Sequence, residues 1–392
     1  MGMHQSDRVD FKRIDEHRAA ARTCGHLLVL MFAALACALL PVARAATRVS
    51  GVRALQKSQT LPKIPASLTS PRRGLAPEQA AVRLAAMRST AMPERHVLRR
   101  QREVAVTFDD LPAPSDSVVS YNPEALQAMT SRLLAELKEY RIPAIGFVNE
   151  DKLDRGQFNQ RVDILKMWLN AGYPLGNHTY SHVDIDSTPL AAYELNFLRG
   201  EEVTQPLMLA RGMHERYFRY PFLDVGKTHE TQRAFRRFLV RQGYAIAPVT
   251  IDNQEYMFAA VYAHALAAGD TETADRVSAA FLTYMDDVFG YFEKFSAETL
   301  GYEPRQVLLL HADELDTDDM RDLATMMRAR GYRFITLREA LRDPAYRIPD
   351  GYDDGMDGGV SWIEHWAQTM KKNIPDGPDV PEYVQKAYAR LQ

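Results

Sequence analysis

From residue 104 onward, short apolar runs alternate with longer stretches in which apolar residues recur at helical spacing. The runs at 104–108, 144–148, 217–220, 248–251, 307–310 and 333–336 read as buried strands, being brief and continuous. Between them, residues 124–140, 161–171, 190–210, 228–241 and 317–330 place apolar side chains three and four apart, the period of one helical face. Strand and helix in alternation predict an α/β fold built on a parallel sheet or barrel. In such folds functional groups collect at the carboxyl ends of the strands. The residues that follow each run are therefore the first candidates for chemistry.

The regular pattern spans residues 101–342, and one insertion at 259–300 interrupts it. There Tyr, Phe, Met and Leu fall at helical spacing, which predicts a helical pair packed as core or lid. Residues 343–392 read as a C-terminal extension packing on the barrel. It is loop-like, rich in Asp and Gly at 350–359, and then holds a short helix carrying Trp362 and Trp366. Asp350, Asp353, Asp354 and Asp357 lack the ligand spacing of a calcium loop and read as a solvated turn. Residues 46–100 mix Ser, Pro, Gly and Arg without long periodicity, apart from a short helix at 78–87, and read as a flexible linker.

Composition is that of a soluble globular chain: of 392 residues, 46% are apolar and 25% charged. The net charge of −3 conceals an asymmetry, because residues 47–102 carry 12 Lys and Arg against only Glu78 and Glu94. The body from residue 103 is correspondingly acidic, which excludes nucleic acid as the main partner. The basic linker reads as a solvated tether, and its charge also suits loose association with an anionic membrane or cell-wall surface. Ahead of it, Arg18 and Arg22 precede an apolar run at 27–40, and Ala43-Arg44-Ala45 follows as a cleavage site between small residues. That order is a secretory signal peptide over residues 1–45, predicting an exported protein, periplasmic or secreted. Left uncleaved, the same leader would be a membrane anchor. Cys24 and Cys37 both fall inside it, so a mature domain would have no thiol for disulfides or metal.

Five segments carry candidate chemistry. Thr107-Phe108-Asp109-Asp110 ends the first strand with adjacent carboxylates, a repulsive pair that becomes useful when one binds a cation and the other moves a proton. Gly176-Asn177-His178-Thr179-Tyr180-Ser181-His182 sets two histidines four apart, a spacing that on a helical turn would bring both to one metal ion. With Asp110 as a third ligand, two imidazoles and a carboxylate suit zinc with an open position for water. Arg219-Tyr220-Pro221-Phe222 offers an arginine that could pair with a carboxylate. Asp252-Asn253-Gln254-Glu255-Tyr256 follows another run, and Leu308-Leu309-Leu310-His311 ends a buried strand on a histidine.

These segments, in this order, resemble the polysaccharide deacetylase family, the carbohydrate esterases that share the NodB-homology domain, over about residues 102–341. The resemblance implies a distorted barrel of parallel strands wrapped by helices. It also implies a divalent metal, expected to be zinc, and removal of N-acetyl groups from an N-acetylglucosamine-containing polysaccharide or oligosaccharide. By residue it implies Asp109 as catalytic base, Asp110, His178 and His182 as metal ligands, and Arg219 as the group orienting the base. His311 is implied as general acid, kept protonated by Glu255 or Asp252. The backbone amide at Phe222 would help hold the oxyanion, and Leu309 would line the acetyl pocket. Glu255-Tyr256 replaces the family's Asp-Trp, so Tyr256 alters the pocket wall, and Phe222 stands where the family has tyrosine. The reaction class survives these departures, while the substrate stays open. An acetyl-ester esterase, as on xylan, or another amide hydrolase would use the same groups. A non-catalytic carbohydrate-binding module would need none of them.

Overall fold

The computed structural model describes residues 101–214, 216–352 and 359–391. The leader with both cysteines, the linker with its short helix at 78–87, and Asp353, Asp354 and Asp357 lie outside the described residues. The first half runs β1 (Arg102–Leu111), α1 (Pro123–Glu139), β2 (Ile145–Val148), α2 (Phe158–Asn170), β3 (Leu175–Asn177), α3 (Leu190–Arg199), α4 (Thr204–Leu209), β4 (Tyr217–Phe218) and α5 (His229–Gln242). Then come β5 (Ala245–Ile246), α6 (Glu255–Ala268), α7 (Thr271–Leu300), β6 (Gln306–His311), α8 (Glu314–Ala329), β7 (Tyr332–Phe334) and α9 (Leu337–Ala340). The extension holds α10 (Trp362–Thr369) and α11 (Glu382–Tyr388). No helix among the described residues is long and apolar enough to cross a membrane.

Every strand pairing is parallel, in the order β5-β4-β3-β2-β1-β6, with β7 on the start of β1. β1 takes the centre because Val104, Ala105, Val106 and Phe108 are apolar on both faces and fully enclosed. The predicted strand at 248–251 resolves into something more useful. Ala245 donates to the Arg216 carbonyl beside β4, whereas Ile251 bridges to Leu308 of β6. Residues 245–251 thus touch both edges of the sheet and curl it into a distorted barrel, with each strand's carboxyl end facing one mouth.

The helices follow their sequence signals closely at the starts. Asn122 caps α1 by accepting from Ala125 N, with Pro123 in the first turn, and Thr228 caps α5 in the same way. The predicted helix at 190–210 is instead two, α3 and α4, broken at Gly200. A β-carbon on Gly200 would lie 2.7 Å from the Thr179 carbonyl carbon, so the break lets the chain pass close under the histidine segment. The insertion is the expected helical pair, α6 and α7, and Phe258, Tyr262, Phe281, Met285, Phe289 and Phe295 bury their side chains in the main core.

The extension is less loop-like than its sequence suggests. Ser361 caps α10 and donates to the Thr250 carbonyl, and Trp362 N donates to Val249 O. With Ile363, Trp366 and Val384 buried in the main core, residues 359–391 form part of the barrel's packing.

Candidate active site

The first strand delivers both carboxylates by breaking its own regularity. In a flat strand adjacent side chains point to opposite faces. Here the register against β2 shifts between Phe108 and Leu111, and Asp110 adopts φ 68. This bulge turns Asp110 into the mouth that Asp109 also faces. A non-glycine residue at positive φ costs roughly 1 kcal/mol or more, strain of a kind that concentrates at functional sites.

The two histidines do not lie on a helical turn. Residues 178–182 form a loop with Thr179 at φ 62 and His182 at φ 52, so the four-residue spacing works through left-handed kinks rather than helical periodicity. Three asparagines hold this loop. Asn149 Nδ2 donates to His178 O, Asn177 Oδ1 accepts from Thr179 N, and Asn196 Oδ1 accepts from Ser181 N. His178 Nδ1 lies 2.9 Å from the Arg219 carbonyl. A carbonyl can only accept, so Nδ1 carries the proton and Nε2 presents a lone pair to the mouth. Burial holds both imidazoles below the ordinary histidine range, which keeps them neutral.

Asp110 Oδ1 sits 3.7 Å from His178 Nε2 and 3.6 Å from His182 Nε2. One ligand atom from each of the three residues lies within 4.8 Å of the others. Burial alone would raise the Asp110 pKa, but the Lys152 ammonium, helped by the His311 imidazolium, outweighs it and holds the carboxyl ionised. Two neutral nitrogens and one carboxylate oxygen converging in this way are a donor set that fits zinc. Lys152 was not anticipated from sequence: its Nζ lies 3.2 Å from Asp110 Oδ1 and donates to Asp110 O at 3.1 Å. A lysine in a polar segment carries no signal that it will turn inward.

Asp109 is enclosed behind the ligand set. Arg219 Nη1 lies 3.1 Å from its Oδ2, while the remaining guanidinium donors go to Ala247 O and Thr107 Oγ1. The arginine also lies over the Phe147 ring, 4.8 Å from its centroid, so it has little freedom to leave. Burial pushes the Asp109 carboxyl up to about 6, against the pull of Arg219.

Across the mouth, His311 Nδ1 lies 2.5 Å from Glu255 Oε2. Burial disfavours the imidazolium, but the Glu255 carboxylate prevails and lifts His311 to about 10. Of the two partners considered for His311, Glu255 makes this contact. Asp252 accepts from Asn253 N, and its burial raises it to about 6. Phe222 sits at φ 57 with its ring 4.4 Å from His182 and 56% of its surface exposed.

All the candidate residues except Arg219, which stands behind Asp109, line one cleft of about 560 Å³. Leu309 and Tyr256 form part of its wall, and the extension contributes Gly359 and Tyr388. The Tyr388 ring packs edge-on to Tyr256 with centroids 5.6 Å apart. A β-carbon on Gly359 would lie 2.3 Å from the Phe222 carbonyl oxygen, so only glycine permits this approach.

Residues 97–238 match the family described as polysaccharide deacetylase. A peptidoglycan-N-acetylglucosamine deacetylase of Bacillus cereus is 25% identical over 140 residues, covering 36% of this chain and 43% of that protein. The match thus spans less than half of that relative's length. Among solved structures, a CE4-family pseudoenzyme from Bacillus anthracis has a TM-score of 0.39 at 15% identity, covering 62% of this chain and 66% of its own. A family 4 carbohydrate esterase from Streptomyces lividans in complex with acetate has a TM-score of 0.38 at 17% identity, covering 61% and 95%. A peptidoglycan deacetylase from Bacillus subtilis gives 0.38 at 17%, covering 62% and 92%.

Proposed function

We propose, on the premise that residues 97–238 form a domain of the polysaccharide deacetylase family, that the protein is an exported metal-dependent hydrolase. Its substrate is an N-acetylglucosamine-containing glycan, from which it removes N-acetyl groups. One observation carries the reading: three metal-competent donor residues share one cleft with Asp109, which is backed by Arg219, and with a His311–Glu255 pair.

Asp110, His178 and His182 would hold the ion, with zinc the expected metal. Bound there, it would supply a Lewis acid for the acetyl carbonyl and bring the pKa of a water toward about 7. Asp109, fixed in direction by Arg219, takes the proton from the attacking water as the carbon–oxygen bond forms. The Phe222 backbone amide is assigned to the developing oxyanion, and Leu309 and Tyr256 to the acetyl pocket. His311 gives its proton to the departing nitrogen as the carbon–nitrogen bond breaks, releasing acetate and a free amine. Arg219, Glu255 and Asp252 act as positioning residues around these two proton carriers. The leader supports export, and the basic linker supports loose contact with an anionic envelope surface.

The division of roles is tested by leaving group. An amide nitrogen needs protonation to leave, whereas an activated aryl oxide does not. His311→Ala should lose about 10²–10⁴-fold on an N-acetylated sugar oligomer but far less on an aryl acetate. Asp109→Asn should keep the metal and fail on both. Equal proportional losses for the two variants on both substrates would overturn the assignment.

A further inference from the structure

The segment following the general acid reads His311-Ala312-Asp313-Glu314-Leu315-Asp316, and the catalytic reading leaves Asp313 and Asp316 unused. Both are enclosed, at 3% and 0% exposure, beside Glu255 at 1%. One carboxylate oxygen from each of the three residues lies within 4.8 Å of the others. Their remaining contacts are fixed. Glu255 Oε2 meets His311 Nδ1, Asp316 Oδ2 accepts from His311 N, and Asp313 Oδ1 accepts from Asp316 N to cap α8. That leaves Glu255 Oε1, Asp313 Oδ2 and Asp316 Oδ1, each buried without a hydrogen-bond donor among the described residues.

Charge balance limits what this cluster can be. Three ionised carboxylates beside one imidazolium would leave two uncompensated negative charges out of contact with water, and such groups take up protons instead. The other groups felt by this cluster, Asp109, Asp110, Asp116, Asp252 and Asp319, are acidic, His182 is neutral, and a divalent ion held at Asp110 would be balanced by the Asp109 and Asp110 carboxylates, so none supplies the missing positive charge. One anion matched to one imidazolium, with the other two carboxyls protonated, is the neutral arrangement. Burial and the neighbouring Glu255 charge push both Asp313 and Asp316 well above the usual carboxylate range, whereas His311 outweighs burial at Glu255 and holds it below.

We propose that Asp313, carrying a proton, is a positioning residue that donates to Glu255 and so holds the Glu255 carboxylate on His311. A protonated carboxyl can fill the gap between Glu255 Oε1 and Asp313 Oδ2, which two carboxylates cannot. The consequence for turnover rests on the reading of His311 as general acid, but the contact itself is measured without substrate. Loss of deacetylase activity in the wild type would therefore strike that reading and leave this one standing.

The test is an NMR titration of His311 in the full chain, assigned by the signal lost in His311→Ala. Asp313→Asn keeps both the helix cap and a donor toward Glu255. Asp313→Ser keeps a capping oxygen but is one atom too short to support Glu255. The Asn variant should hold His311 within a few tenths of its wild-type pKa, and the Ser variant should lower it by roughly one unit. Equal lowering in both variants would show that Asp313 acts as a charge, and no change in the Ser variant would remove it from the relay. Either result overturns the proposal. So would a metal ion retained by the His178→Ala/His182→Ala double variant and lost on Asp313→Asn, which would put a cation where the proton is placed.

Discussion

At Glu255 glutamate reaches one methylene further than aspartate would, and its 2.5 Å contact to His311 shows that the longer side chain still meets the imidazole. The His311 pKa of about 10 stands above the ordinary 6.5 because the Glu255 charge outweighs burial. A group raised in this way stabilises the fold below its ordinary pKa, and that contribution is lost as pH rises through about 10. Activity that needs protonated His311 should accordingly persist on the alkaline side until about pH 10. Glu255→Gln removes the charge while keeping the shape. It should bring the alkaline limb of the kcat profile down by at least about one unit, with metal content unchanged. An alkaline limb that stays in place would show that another group carries the acid role. The residues that line the cleft could be singled out in sequence because they follow successive apolar runs, a shared position that none of them signals alone. What holds them could not be: Lys152, Asn149, Asn196 and Asp313 are ordinary polar residues until the fold turns them inward. Nor does local spacing reveal that Asp110 sits at positive φ in a bulge.

At the scale of elements, the alternation of strand and helix was readable because each run buries a complete face. The two misread stretches share one cause, which is contact with something distant in sequence. The helix expected at 190–210 breaks at Gly200 because the histidine loop crosses there. The run at 248–251 meets β6 through Thr250 and Ile251 alone among its residues, making a bridge and not a full strand, because the chain leaves β4's side to close the barrel. The extension was the least legible part, since Ser361 and Trp362 bond to partners more than a hundred residues away. It also brings Tyr388 to Tyr256 on the cleft wall. Aromatic contacts of this kind contribute about 0.5–1.5 kcal/mol, or roughly two- to tenfold in binding. Tyr388→Ala should raise KM on N-acetylglucosamine oligomers by that factor while leaving kcat and metal content alone. An unchanged KM would mean that α11 only packs against the cleft and does not meet the glycan.

For the whole molecule, the proposal of an exported enzyme acting on a glycan at the envelope is supported by the acidic body, the basic linker and the signal-type order of the leader residues. Mass spectrometry of the native protein should find its N-terminus at or near Ala46, and a mature protein that retains Cys24 would point to an anchored form instead. The central claim is that Asp110, His178 and His182 hold the metal on which N-deacetylation depends. Its most direct test is acetate release from an N-acetylglucosamine oligomer by the purified protein, first stripped with a chelator and then titrated with zinc. Release should be abolished by the chelator and return in proportion to added metal up to one equivalent. His182→Ala should show neither recovery nor tight binding of the ion. Undiminished acetate release from the stripped protein, or full recovery in His182→Ala, would contradict the claim.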